Sequence, residues 1–109
     1  MIVIVAKYLI PNGFSGMAIF PFIFLKEKKQ RQNPVMILHE KIHLRQQAEL
    51  LVLPFFVWYL FEFFFRLMQY KDSTLAYENI SFEREAYANE SQAGFLEQRK
   101  FWNFLNYLK

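Results

Sequence analysis

The sequence predicts one α+β domain over residues 1–109, mainly helical, with a small antiparallel β ribbon at its N-terminus. Three features lead to this prediction. β-Branched residues dominate positions 2–10, a second apolar run occupies positions 17–25, and few helix-breaking residues interrupt the chain after Pro34. A length of 109 residues is that of a single domain.

The two apolar runs form the expected ribbon. Pro11-Asn12-Gly13 is a turn signal at the end of the first run. Pro21 interrupts the second run, and because proline donates no backbone hydrogen bond, a strand that contains it belongs at an edge or a bulge. We therefore expect an edge strand at residues 19–24, to which either an extended peptide or a dimer partner can add by backbone pairing.

Helices are expected over most of the remaining chain. Pro34 suits the first position of a helix, and no breaker follows it in residues 35–53, before Pro54. A last helical region is expected to begin at residues 77–81 and to continue through Leu96, with a short helical tail over residues 99–109.

The most apolar stretch runs from residue 50 to residue 61 and is followed by Glu62 and Arg66. A membrane span needs about 20 apolar residues, and shorter runs are more often core or interfacial helices. We therefore expect an amphipathic helix that packs on the domain, with contact to a membrane surface as the less favoured alternative.

Composition excludes several classes of protein. The apolar fraction of 54% excludes intrinsic disorder, and the net charge of +3 does not indicate a nucleic-acid partner. The absence of cysteine excludes disulfides and thiolate metal sites, and it fits a reducing compartment. The N-terminus lacks the pattern of a secretory signal, so a cytoplasmic location is expected. The apolar excess favours a homodimer contact or peripheral membrane contact.

The only two histidines, His39 and His43, flank Glu40 in the pattern H-E-x-x-H. Positions i and i+4 lie on one helix face, so two neutral imidazoles at this spacing can bind one Zn²⁺ at about 2.0–2.1 Å. Glu40 projects about 100° further round the helix, where its carboxylate can take a proton from a zinc-bound water. The alternative is a histidine pair satisfied by hydrogen bonds in a helix interface. The motif favours one zinc ion, with Glu40 as general base.

A catalytic zinc site needs a third protein ligand, and without another histidine or any cysteine a glutamate is favoured. On a helix, Glu85 shares a face with Asn89, whereas Glu83, Tyr87 and Glu90 project from the opposite side, so Glu83 and Glu85 are not expected to be buried together. Glu78 lies seven residues before Glu85 on the same face and is the second candidate ligand.

The sequence resembles gluzincin metallopeptidases, which carry H-E-x-x-H on one helix and a glutamate ligand on a later one. Their HtpX-like branch has a stretch of the form S-R-x-R-E-Y-x-A-D, to which residues 81–89, SFEREAYAN, are similar. The small size resembles the minigluzincins. This resemblance implies that Glu85 is the third ligand, and that a small sheet, an active-site helix and a glutamate helix form the fold. Asn89 stands where the family often has aspartate, and its amide can accept a hydrogen bond from a ligating imidazole but, unlike a carboxylate, brings no charge.

These observations predict a zinc metallopeptidase with His39, His43 and Glu85 as ligands and peptides or proteins as substrates. The alternative is a non-catalytic zinc module, closed by a fourth ligand such as Glu78, whose phenylalanine-rich surface binds a protein or a membrane. Gln46 follows one turn after His43, where it either binds the Glu85 carboxylate or substrate, or is a buried amide satisfied by a neighbouring helix.

Overall fold

A computed structural model of the chain describes residues 2–11 and 13–108. These residues confirm the mainly helical α+β class with an N-terminal sheet. The strands are β1 (Ile2–Val5), β2 (Gly16–Ile19) and β3 (Phe22–Leu25), and the helices are α1 (Pro34–Leu50), α2 (Val52–Tyr70), α3 (Ser73–Glu78), α4 (Ser81–Asn89) and α5 (Phe95–Gln98). Short 3₁₀ turns lie at Lys7–Leu9, Lys28–Gln32 and Asn103–Tyr107.

The sheet is mixed and has the strand order β1-β3-β2. β2 and β3 pair antiparallel, with Met17 opposite Phe24, whereas β1 pairs parallel with β3, with Val3 opposite Ile23. The antiparallel ribbon therefore forms within the second apolar run, and the first run joins it in parallel. Asn12, in the turn expected between the runs, lies outside the described residues.

The expected edge strand at residues 19–24 was wrong, because the chain reverses within it. Pro21 lies in the turn between β2 and β3, where its missing N–H removes no ladder hydrogen bond. β3 is consequently the central strand, and β2 is an edge strand of the sheet.

The helix that begins at Pro34 ends three residues earlier than predicted. The side chain of Asn33 caps its first turn by accepting from the backbone N–H of Met36, and Pro34 occupies the first helical position. Leu51 adopts a left-handed φ of 62°, which ends α1 at Leu50 and starts α2 at Val52. Pro54 lies in the first turn of α2, where a missing N–H is tolerated.

α1 lies between the sheet and the C-terminal helices. Leu44 packs on the sheet residues Ala18, Ile23 and Leu25, and Ile42 packs on Ala86 of α4. A larger aromatic cluster joins α2 and α4 to the C-terminal turn and contains Phe55, Ile80, Phe82 and Phe104. The two faces of α1 therefore fix its histidine-bearing turns against α4.

α4 is positioned by a carboxylate that α2 supplies. Glu62 is buried and accepts hydrogen bonds from the backbone N–H and the hydroxyl of Ser81, the first residue of α4. A negative charge at a helix N-terminus is favourable because the first backbone N–H groups are unpaired. The predicted last helical region is divided, since α4 ends at Asn89 and α5 follows separately.

Candidate metal site

A cavity of about 380 Å³ lies between α1, α4, α2 and the β2 strand. Its polar lining consists of His39, Glu40, His43 and Glu83, together with Gln47 and two tyrosines. Its apolar walls are Gly16, Met17 and Ala18 of β2 and Phe55, Phe56, Leu60 and Phe63 of α2. His39, Glu40, His43 and Glu83 are all buried.

Three donor atoms form a close triangle in this cavity. The Nε2 atoms of His39 and His43 are 3.2 Å apart, and they lie 3.1 and 3.0 Å from the same carboxylate oxygen, Oε1 of Glu83. A tetrahedral zinc ion with ligands at about 2.0–2.1 Å holds neighbouring donors about 3.3 Å apart. His39, His43 and Glu83 could therefore hold a metal ion.

The opposite ring nitrogen of His39 faces a second carboxylate. Its Nδ1 lies 2.6 Å from Oε2 of Glu90. Glu90 lies closer to this ring than Glu83, which is 3.1 Å from Nε2, so in the neutral ring Nδ1 donates to Glu90 and Nε2 presents its lone pair to the triangle. Ligating histidines in metalloproteins usually donate their other N–H to such a group.

Gln46 accepts a hydrogen bond from Nδ1 of His43, as Glu90 does from Nδ1 of His39. The amide nitrogen of Gln46 donates to the carbonyl oxygen of Phe82 and to Oε1 of Glu85, at 3.1 and 2.8 Å. This fixes the amide oxygen toward Nδ1 of His43, 2.8 Å away, so that Nδ1 must donate. In its neutral form each histidine is thus held as the tautomer that a metal ligand requires. Gln46 also contacts Glu85, one of the roles predicted for it.

Glu83 is ionised and firmly held. Its second oxygen accepts a hydrogen bond from the hydroxyl of Tyr59 at 2.7 Å. Burial favours the protonated carboxyl, but the imidazoles of His43 and His39 outweigh it and hold the pKa of Glu83 well below its ordinary value. Burial also disfavours a charged His43, yet the carboxylate of Glu83 raises the pKa of His43 to about 9.

Glu40 lines the same cavity without joining the triangle. Burial raises the pKa of Glu40, an effect that the imidazoles of His43 and His39 partly oppose. Its Oε1 atom is buried and has no hydrogen-bond partner among the described residues. An unpaired buried carboxylate oxygen costs free energy, so this atom is suited to a bound water or ligand.

Glu85, which the resemblance makes a ligand, lies on the other side of α4. Its carboxylate accepts from Nε and the second terminal nitrogen of Arg99, from Asn103 and from Gln46, at 2.6–3.1 Å. Two residues of helix rotate a side chain by about 200°, which separates Glu85 from the imidazoles that Glu83 contacts. The expectation that only one of these glutamates would be buried was wrong, because α4 is enclosed on both sides.

Two further residues also lie away from the triangle. Glu78 is exposed at the end of α3, and the amide of Asn89 donates to the Glu85 carbonyl oxygen and the Tyr107 hydroxyl. The hydrogen-bond acceptors on Nδ1 of His39 and His43 are Glu90 and Gln46, and not Asn89 as the resemblance implied. Glu83, Tyr87 and Glu90 share one helix face by their spacing, and this shared face was the sequence signal for the residues that contact the histidines. The ring of Tyr87 also packs edge-on against that of His39, with ring centroids 4.6 Å apart.

α1 is also hydrogen-bonded to the edge of the sheet. Gln47 donates to the carbonyl oxygen of Ala18 at 2.8 Å and accepts from the backbone N–H of Phe20 at 2.6 Å. The side chain of Gln47 thereby pairs with the outer edge of β2 as a neighbouring strand would. The histidines and the strand that lines their cavity are held in one rigid unit.

Comparisons with protein families, with curated proteins and with solved structures gave no significant match to this chain. The arrangement of the described residues is therefore the basis on which its function can be inferred.

Proposed function

We propose that the protein is a zinc-dependent hydrolase of peptide bonds, in which His39, His43 and Glu83 bind the metal and Glu40 is the general base. One observation carries this proposal. Three buried donor atoms lie within 3.2 Å of one another, beside a buried carboxylate that has an unpaired oxygen. The proposal keeps the predicted peptidase chemistry and replaces Glu85 by Glu83.

Zinc is the metal that best suits these donors. Two imidazoles and one carboxylate are one of the ligand sets of catalytic zinc sites, and softer thiolate donors are absent from the sequence. The hydrogen bonds to Nδ1 of both rings match the outer partners that such ligands have. Three ligands leave the fourth tetrahedral position for a water or substrate.

Glu40 supplies the proton transfers. A zinc ion at such a site polarises the substrate carbonyl and makes bound water more acidic. Glu40 lines the same cavity as the donors, and its free oxygen is suited to accept the proton of the attacking water. The same carboxyl then donates that proton to the leaving amine nitrogen. Burial raises the pKa of Glu40 and so makes its carboxylate a stronger base.

Tyr77 is the proposed donor to the developing oxyanion. It lines the cavity with His39 and Glu40, and its ring packs edge-on against that of Tyr87. Burial and the charge of Glu83 raise the pKa of Tyr77, so the hydroxyl keeps the proton that it has to donate. The chain has no further histidine for this role.

The non-catalytic zinc module remains the second proposal, and the fourth ligand distinguishes it from the first. A structural zinc site is normally closed by four protein ligands. Glu78, the expected closing residue, is exposed, and the described residues place three such donors in the group. This favours an open, catalytic site.

The test is cleavage of a mixture of peptides by zinc-loaded protein, followed by mass spectrometry. Glu40→Gln is the matched control, because it keeps the shape of the side chain but cannot accept a proton. We expect the variant to bind zinc as the wild type does and to lose about 10²–10⁴-fold in cleavage rate. Equal rates, or protein that takes up no metal, would contradict the proposal. Zinc binding without cleavage by the wild type would favour the non-catalytic module.

A further inference from the structure

α2 exposes a continuous apolar surface, which we call the apolar arc. Its side chains project over about half of the helix circumference at 100° per residue. They are Leu53, Phe56, Val57, Leu60, Phe61, Phe64, Phe65 and Met68, each exposed by 37–74%. None of these side chains carries a charge or a hydrogen-bonding group. Exposed apolar patches of this kind mark surfaces that bind a partner or a membrane.

The charged residues of α2 face the protein instead of water. Glu62 and Arg66 are its only charged residues, and both are less than 9% exposed. Glu62 accepts from Ser81 of α4, and Arg66 donates to the carbonyl oxygen of Leu108 at 2.6 Å. A helix at a protein–water boundary shows the reverse arrangement, with its charges outside. The outer side of α2 is therefore matched to an apolar medium.

We propose that α2 is a membrane-docking helix, which lies along a bilayer surface with its apolar arc among the acyl chains. The helix has 19 residues and is long and apolar enough to cross a membrane. However, α3 packs along its inner side and Phe82 of α4 packs against Phe55 and Trp58, so a spanning orientation would carry the charged residues Glu78 and Arg84 of these two helices toward the hydrocarbon. Lying in the plane of the membrane immerses the apolar arc and leaves these charges in water.

A bilayer fits the apolar arc better than a second protein does. Protein interfaces carry about one hydrogen bond per 100–200 Å² and have a polar rim, whereas the arc offers no side-chain donor or acceptor. Acyl chains need none. A stacked and exposed aromatic pair, Phe101 and Trp102, lies at the C-terminal end of α1, where Trp102 donates to the carbonyl oxygen of Glu49, three residues before α2 begins. Tryptophan is enriched at the boundary between lipid and water.

This docking places the metal-site cavity at the membrane surface. Phe56 and Leu60 belong both to the apolar arc and to the wall of the cavity that holds His39, His43 and Glu83. An apolar peptide segment at the lipid surface would therefore reach the cavity past α2. This statement about substrate rests on the proposed function, whereas the docking of α2 does not depend on it.

The first experiment measures flotation of the full chain with vesicles of pure phosphatidylcholine. We expect binding that persists in high salt, because the apolar arc is uncharged. Phe61→Ser combined with Phe65→Ser should weaken binding at least about tenfold. Leu9→Ser is the matched control, since Leu9 is 58% exposed but lies outside α2, and it should bind as the wild type does. Wild-type binding by the double variant, or no wild-type binding, would overturn the proposal.

The second experiment measures orientation. Because the chain has no cysteine, single substitutions L53C, F61C and M68C can each carry a fluorophore that senses polarity. We expect vesicles to shift all three probes to an apolar environment at similar depth. A deep probe only at position 61 would indicate a spanning helix, and probes that are buried without vesicles in a concentration-dependent way would indicate a dimer. Either result would overturn the proposal, and neither depends on peptide cleavage.

Discussion

The side chains of Glu83 and Glu85 project from opposite sides of α4, and each carboxylate is buried against a basic side chain. Glu83 contacts Nε2 of His43 at 3.0 Å, whereas Glu85 contacts Nε of Arg99 at 2.6 Å. Because the two carboxylates have different partners, the same substitution at each should have different effects. This separation allows metal binding and folding stability to be tested independently.

We expect Glu83→Gln to lose zinc affinity by more than the roughly 10–100-fold that an outer partner of a ligand contributes. Glu85→Gln should bind zinc when folded but be destabilised by about 1–3 kcal/mol, because it removes the charge of one of the two carboxylates that pair with the buried Arg99 and leaves Glu49 as the remaining carboxylate partner. Isothermal titration with zinc and urea unfolding measure the two effects. A larger loss of zinc affinity in a folded Glu85→Gln protein than in Glu83→Gln would restore Glu85 as the ligand.

The hydrogen bond between Gln46 and His43 predicts that Gln46 orients this histidine as a metal ligand. Gln46→Met keeps the approximate volume but removes the oxygen that accepts from Nδ1 of His43. We expect about a 10–100-fold loss of zinc affinity, since the ring loses the partner that fixes its tautomer. Gln47→Met is the control, because Gln47 contacts the β2 backbone and no histidine. Equal zinc affinity in wild type and Gln46→Met would contradict this role.

The metal-free protein should show a narrow pH range of greatest stability. The pKa of His43 rises from its ordinary 6.5 to about 9 on folding, so its contribution is complete below 6.5 and is lost as the pH rises toward 9. The pKa of Glu83 is lowered from 4.5, so its contribution is present above 4.5 and is lost as the pH falls. Urea unfolding of metal-free protein should give a maximum at about pH 4.5–6.5, and Glu83→Gln should flatten it.

The affinity for zinc should rise with pH over the range in which the metal-free protein loses the contribution of His43 to its stability. The proton that His43 holds between its Nε2 atom and Glu83 occupies the place of the metal, so the ion must displace it. Apparent zinc affinity should therefore rise by about tenfold per pH unit up to about pH 9. Calorimetry in buffers with different ionisation enthalpies should detect about one proton released per zinc near pH 7. An affinity that is constant over this range would exclude His43 as a ligand.

Tyr77→Phe tests the proposed stabilisation of the oxyanion. The substitution removes a hydroxyl at the cavity but no metal donor, so zinc affinity should stay within about twofold. The cleavage rate should fall by about 10²–10³-fold, the usual effect of removing one such donor. Tyr107→Phe is the control, because the Tyr107 hydroxyl bonds to Asn89 outside the cavity. A wild-type cleavage rate for Tyr77→Phe would exclude Tyr77 as the hydrogen-bond donor to the oxyanion.

Local patterns predicted the parts of the site that lie on one helix. The spacing of His39 and His43 fixes a shared face whatever surrounds α1, so these residues converge as predicted. The choice between Glu83 and Glu85 depends on how α4 is rotated, which is set by tertiary contacts. Glu62 holds the first turn of α4 and Arg99 binds Glu85 from its other side. Neither contact follows from the spacing of residues within α4.

The pairing of the strands, like the rotation of α4, could not be predicted from local sequence patterns. The two apolar runs predicted β structure in the right part of the chain, but the partner of β1 depends on a pairing between residues about 20 positions apart. α2 was predicted as a helix, and the apolar excess predicted a partner surface. Its buried charges could not be read from their spacing, because Glu62 and Arg66 at i and i+4 are equally typical of a solvated pair.

The bond from Gln47 to the β2 edge limits what else that edge can bind. Ser15 pairs with Lys26 in the ladder, so the alternation of an antiparallel pair turns the backbone groups of Gly16 and Ala18 outward. Gln47 already occupies the Ala18 carbonyl oxygen and the Phe20 N–H. A chain laid along β2 would therefore find free groups over little more than one dipeptide, so it would have to be held mainly by side-chain contacts in the cavity.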